Sequence, residues 1–153
     1  MKQANIVSFR DELTPALRAK LDAMRDKRPV LQAMADAAVQ FGTLAFDDSS
    51  KRPKPWPNKK DGTPATLKGP DVVLATSLFA APPSGDMIEV KSDTALAGGK
   101  SDRQYARAQN FGYEPRNLPA RPFFPILEGG DVFAPAESAI LAAMSAAVAK
   151  AIE

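Results

Sequence analysis

Residues 71–91, DVVLATSLFAAPPSGDMIEVK, decide the fold class of this chain. Their opening, DVVLATSLFA, is apolar and β-branched at its start, which suits a strand or a short helix passing into one. Pro82-Pro83-Ser84-Gly85 reads as a turn. The run 86–91 puts Ile88 and Val90 on one face, the two-residue period of a strand. The two runs read as an antiparallel hairpin. That hairpin makes the chain α+β, because the patterns on both sides of it are helical.

Upstream, Thr14-Pro15 reads as an N-cap followed by proline at the first helical position. Leu17, Leu21 and Met24 then fall at helical spacing, with Arg18, Lys20, Asp22 and Arg25 off that stripe. A second amphipathic helix opens near Pro29 and carries Val30, Met34, Ala37, Phe41 and Leu44 on its apolar face, ending near Asp47. Downstream, residues 105–111 suit a short helix closed by Gly112 at its C′ position. Residues 134–153 form a closing helix with Pro135 in its first turn. Its stripe is Ile140 or Leu141, then Met144, Val148 and Ile152. The apolarity of this last segment comes mostly from alanine, so it reads as a soluble helix rather than a membrane span. No internal repeat is present.

Two stretches resist a regular assignment. Residues 47–70 hold Pro53, Pro55, Pro57, Pro64 and Pro70, and proline lacks the N–H that a helix or central strand needs. Lys51, Arg52, Lys54, Lys59, Lys60 and Lys68 make this stretch basic. A structureless run of this length marks a functional or disordered segment, here expected to be a mobile loop. Trp56 sits in its middle and either folds back to plug the edge of the core or stands exposed as a contact anchor. Residues 91–104, polar around Gly98-Gly99, are expected to be a second mobile loop.

The composition bounds the chemistry. With 153 residues, 44% of them apolar, the chain suits a single domain over 1–153 that buries a core without staples. It has no Cys and no His, which excludes disulfides, Cys/His zinc and haem sites, and Ser-His or Cys-His nucleophilic mechanisms. The net charge of +2 gives no global field toward nucleic acid or acidic membrane. The N-terminus lacks the apolar run of a secretory signal, so cytosolic synthesis is the default. There is no phosphate loop, dinucleotide fingerprint or calcium loop. Asp47-Asp48 and Asp11-Glu12 are neighbours whose side chains point apart on a helix. No catalytic residue, metal site or cofactor is expected, and the chain does not read as an enzyme.

The most informative local pattern is residues 105–124, YARAQNFGYEPRNLPARPFF. Pro119 and Pro122 stiffen the backbone in extended form around Arg121. Arg121 can grip a carboxylate or bond to carbonyls. Phe123 and Phe124 offer large apolar surface. The stretch is either a connection pinning the last helix to the core, with Arg121 in an internal salt bridge, or a contact surface.

In order, these features resemble the virion morphogenesis, or tail completion, family of contractile-tailed bacteriophages (P2-like and Mu-like). The resemblance covers roughly residues 28–152. It rests on Lys54-Pro55-Trp56-Pro57, Leu74-Ala75-Thr76-Ser77-Leu78, Tyr105-Ala106-Arg107-Ala108-Gln109-Asn110-Phe111-Gly112 and Pro119-Ala120-Arg121-Pro122-Phe123. Ser77 stands where the family has Gly, Gln109 where it has His and Asn110 where it has Gln, and the spacings around Thr76 are each one residue short. The resemblance implies a non-enzymatic structural protein acting at the head-proximal end of the tail or the head–tail junction, made in the bacterial host cytoplasm. It implies tail tube, terminator or connector proteins as partners and a homo-oligomeric ring, with a hexamer as one size. Trp56, Tyr105, Gln109, Gly112, Arg121, Pro122 and Phe123 are the residues expected to serve its interfaces or its structural motif. A rival reading is a nucleic-acid-binding accessory protein that uses the basic loop.

Overall fold

A computed structural model describes residues 13–67, 73–92, 102–127 and 129–153. Helix α1 (Leu13–Arg25) leads to α2 (Arg28–Leu44). A 3₁₀ turn (Ser49–Lys51) and an irregular stretch follow, then a single helical turn, α3 (Val73–Thr76). Strands β1 (Leu78–Ser84) and β2 (Met87–Ser92) come next, then α4 (Asp102–Phe111) and a 3₁₀ turn (Glu114–Arg116). Helix α5 (Ala134–Ile152) closes an α+β fold whose two strands pair antiparallel.

The hairpin confirms the reading of residues 73–91 and corrects its turn; 71–72 lie outside the described residues. The opening run is a helical turn passing into a strand, closed by the Ser77 hydroxyl, which donates to the Leu74 carbonyl (2.8 Å). Ser77 is not among the residues of positive φ, so this corner needs no glycine. Pro82 and Pro83 lie inside β1 rather than in the turn. Ala81 pairs with Glu89 and Ser84 with Met87, so the two prolines face the single residue Ile88. That two-against-one bulge absorbs the N–H groups that proline cannot supply. The turn falls on Gly85 and Asp86, and Gly85 takes φ +60, a conformation open to glycine at little cost.

Helix α2 lies at the centre, packed against α5 on one side and against the hairpin on another. Two-sided packing selects small residues. The buried positions of α2 are Ala35, Ala38, Phe41 and Gly42, whereas Leu44, expected on the apolar face, is 44% exposed. A Cβ on Gly42 would stand 3.2 Å from Leu78 Cδ1 and 3.5 Å from the Phe123 carbonyl oxygen, so the hairpin and the 119–125 connector both approach the helix here. Asp26 orders the start of α2, accepting from the Arg28 backbone N–H (3.1 Å) and its guanidinium (2.7 Å). Those bonds hold the Asp26 carboxyl below its usual pKa.

Helix α1 starts at Leu13, so Pro15 sits within the first turn, where backbone N–H groups have no helical acceptor to lose. Of the expected α1 stripe, Leu17 is 55% and Leu21 52% exposed, and the Met24 side chain lies outside the described residues. On α5 the alternative left open is resolved for Ile140, which is half-buried with Met144 and Val148, while Leu141 and Ile152 are exposed. Helix α5 has 19 residues and a mean hydropathy of 1.3, enough by length and composition to cross a membrane, and 6% of that window is buried. Helix α4 begins three residues before the expected start, and Gly112 follows it at φ +84.

The second packing centre gathers Ala45, Phe46, Trp56, Ala65, Leu74, Ala75 and Phe123, with Leu78, Ala106 and Phe124 packed against it. It joins the end of α2, the basic stretch, α3 and the 119–125 connector, four segments distant in sequence. Most of the second expected loop, residues 93–101, lies outside the described residues, as do 68–72 of the first.

Candidate functional site

The basic stretch reaches the core through its own residues. After α2, the Arg52 guanidinium turns back onto the free carbonyls of the helix end, donating to Ala45 O (2.7 Å) and Phe46 O (3.4 Å). Its carbon Cζ also lies 3.9 Å from the Trp56 ring centroid, a cation–π contact. Trp56 is buried, edge-on to Phe46 (centroids 5.8 Å apart), which in turn packs against Phe123 (5.1 Å). The stretch is irregular, as its prolines require. Asp61 turns it back by accepting from Thr63 N (2.9 Å) and Oγ1 (2.6 Å), and Ala65 then returns to the core. The Thr63 bonds hold the Asp61 carboxyl below its usual pKa.

The 119–125 connector is held by α4 on one side and by Trp56 on another. Three of its N–H groups go to the end of α4. Arg121 N donates to the Gln109 carbonyl (2.7 Å), and the N–H groups of Phe123 (3.0 Å) and Phe124 (2.9 Å) both donate to Asn110 Oδ1. Gly112 makes this approach possible. A Cβ there would lie 3.1 Å from both Ala120 N and Leu118 O, on a backbone already at φ +84.

The two proline-framed stretches then clasp each other. Trp56 Nε1–H donates to the Pro122 carbonyl (2.8 Å). In return Arg121 donates from Nε to the Pro57 carbonyl (3.2 Å) and from Nη2 to the Asn58 carbonyl (3.3 Å). The physical logic follows from proline itself. Two such backbones have carbonyls to offer and few N–H groups, so they cannot pair as a ladder. Each instead contributes one side-chain donor to the other's carbonyls.

Of the seven residues expected to matter, the structure brings Trp56, Gln109, Gly112, Arg121, Pro122 and Phe123 into this clasp. The backbone of Tyr105 lies in α4, and its side chain is outside the described residues. Trp56 takes the core-plugging alternative. Arg121 is 92% removed from solvent by its 8% exposure and bonds to carbonyls of its own chain, where an acidic partner was the expectation for an internal role. Sequence reasoning missed Asn110 and Arg52. Arg52 read as one more cation of a basic loop, and nothing local distinguishes it from Lys51 or Lys54. Asn110 had one available signal, a polar residue directly before the Phe-Gly that ends α4.

Two atoms in this region stay unmatched. Gln109 Oε1 and Asn110 Nδ2 are buried with no hydrogen-bond partner among the described residues. Among the described residues, no group of three or more Asp, Glu, His or Cys is placed to hold a metal. Comparison with protein-family models, curated proteins and solved structures gives no match.

Proposed function

We propose that this chain is a non-enzymatic structural protein of phage tail completion or head–tail joining, acting at the head-proximal end of the tail. The observation that carries the proposal is the clasp. The two most distinctive stretches of the family resemblance, Lys54-Pro55-Trp56-Pro57 and Pro119-Ala120-Arg121-Pro122-Phe123, are distant in sequence yet bonded to each other through Trp56 and Arg121. A shared motif whose parts hold one another supports a common scaffold rather than chance matches of composition.

The uncovered apolar side chains of the helical layer, Leu17, Leu21, Leu141 and Ile152, support assembly into something larger. On this reading the partners are tail tube, terminator or connector proteins, and the chain forms a homo-oligomeric ring, a hexamer being the working size. It is made in the host cytoplasm and ends in the virion tail or head–tail junction. The nucleic-acid reading loses two of its cations: Arg52 is spent on Trp56 and the end of α2, and Lys51 Nζ lies 5.5 Å from the Phe41 ring centroid. Lys54, Lys59 and Lys60 remain exposed.

The test is complementation. A phage deleted for this chain is expected to release heads and tails that fail to join, rescued by the wild-type chain. Full titres of joined particles from the deletion would overturn the proposal. Retention on DNA at low salt, lost when Lys54, Lys59 and Lys60 are neutralised, would favour the rival.

A further inference from the structure

Two clefts open beside the last turn of α4 and share Asn110 and Phe111 as a common wall. The larger has a volume of about 130 Å³ and apolar walls from Leu78, Val90, Phe111 and Phe124. Its size is close to that of cavities that take a single benzene ring, so it accommodates one Leu- or Phe-sized side chain. The smaller, of about 40 Å³, runs along Ile126 and Leu127 on the other side.

Among the described residues, the charges lining these clefts are all of one sign. Lys91 and Arg107 line the larger and Lys54 the smaller, with no described carboxylate in either. Lys91 Nζ lies 3.1 Å from Glu89 Oε2, but both side chains are about half exposed, and such pairs hold weakly enough to be exchanged for an incoming carboxylate.

Asn110 lies between the two clefts. The residue is 4% exposed, and its Oδ1 already accepts two backbone N–H groups, which identifies the other amide atom as the nitrogen. That Nδ2 is buried and has no acceptor among the described residues. A buried donor left unmatched is costly to the fold.

We propose that the larger cleft seats an acidic segment of a partner protein. One bulky apolar side chain enters between Leu78, Val90 and Phe124. Flanking Asp or Glu residues of the segment face Lys91, Arg107 and Lys54. The cleft is read from its own geometry. Only the identity of the partner as a virion protein rests on the tail-completion reading, and binding to the purified chain is measured without any particle assembly.

Selection of mRNA-displayed random dodecapeptides on the full-length chain tests this. Enriched peptides are expected to carry a Leu, Ile, Met or Phe flanked by Asp or Glu. Their affinity is expected to fall on the order of tenfold in Arg107→Glu and again in Lys54→Glu, both exposed positions. Thermal unfolding of each variant is recorded alongside. No enrichment, a consensus lacking the apolar or acidic residues, or unchanged affinity in the folded variants would overturn the proposal. So would enrichment only on a Leu96→Ser chain, which would make the chain's own 93–101 segment the occupant. Binding of single-stranded or duplex DNA that competes with the peptides and is lost in Arg107→Glu would also overturn it.

Discussion

The clasp and the helical layer are built on opposite principles. Around Trp56 and Arg121, irregular proline-framed backbone is buried and held by individually placed donors. In α1 and α5, regular backbone satisfies itself, while Leu17, Leu21 and Leu141 stay substantially uncovered. A helix needs no tertiary partner for its hydrogen bonds, so it can leave an apolar face free for another molecule. A proline-rich connector has no such independence, and its carbonyls must find side-chain donors or water. The difference teaches where damage should fall: the irregular region should be intolerant of substitution and the regular one tolerant.

The sharpest way to break that contrast is Trp56→Ala. It removes a buried ring packed on Phe46, the Arg52 stacking partner and the donor to Pro122, and should cost about 3–5 kcal/mol. Chemical denaturation followed by far-UV circular dichroism measures this, because Trp56 is the only tryptophan. A loss below about 1 kcal/mol would mean the clasp is not what holds the connectors.

Gly112→Ala should come next, at about 1–3 kcal/mol. Its Cβ would crowd Ala120 N and Leu118 O at 3.1 Å, and its backbone would sit at φ +84. Alanine scanning across 110–113 with thermal melts isolates that effect.

Arg121→Lys should cost about 1–2 kcal/mol, because a point ammonium cannot reach the Pro57 and Asn58 carbonyls together as the guanidinium does. Trp56 and Arg121 share one structure, so the double variant should be less than additive.

By contrast, Leu17→Ser and Leu21→Ser should change stability by no more than about 0.5 kcal/mol each. If the helical layer serves ring assembly, the same pair should shift the mass distribution in solution toward monomer.

The smallest expected effect is electrostatic. Hydrogen bonds from Thr63 depress the folded-state pKa of Asp61 below the ordinary aspartate range. The stability this bond adds is present above the unfolded pKa and lost as pH falls through the depressed folded value. An NMR titration of the Thr63 amide should therefore show its midpoint below the ordinary aspartate range.

Much of the fold was legible. The hairpin was readable because Ile88 and Val90 alternate while the flanking runs have helical spacing. The end of α4 was readable because Gly112 is a local stop signal. Over the described residues 52–67 the prolines of the basic stretch coincide with a run that has no helix or strand, yet the turn at 82–85 was misplaced. Consecutive prolines suit a turn and a bulge equally, and only strand pairing distinguishes them. The buried face of α2 was partly misread for a related reason. Periodicity identifies one apolar stripe, whereas a helix packed on two sides buries its smallest residues, Ala35, Ala38 and Gly42.

The sequence alone determined the class of the fold, the absence of histidine and cysteine chemistry, and the two proline-framed stretches with Trp56 and Arg121 at their centres. These are local facts of residue type and spacing. Only the tertiary structure decided that the two stretches bind each other, that Arg52 stacks on Trp56, and that Asn110 brackets the connector with one amide atom left unmatched. Those outcomes depend on which distant segments meet. A backbone without enough N–H groups reveals that it needs donors but not where in the chain they come from.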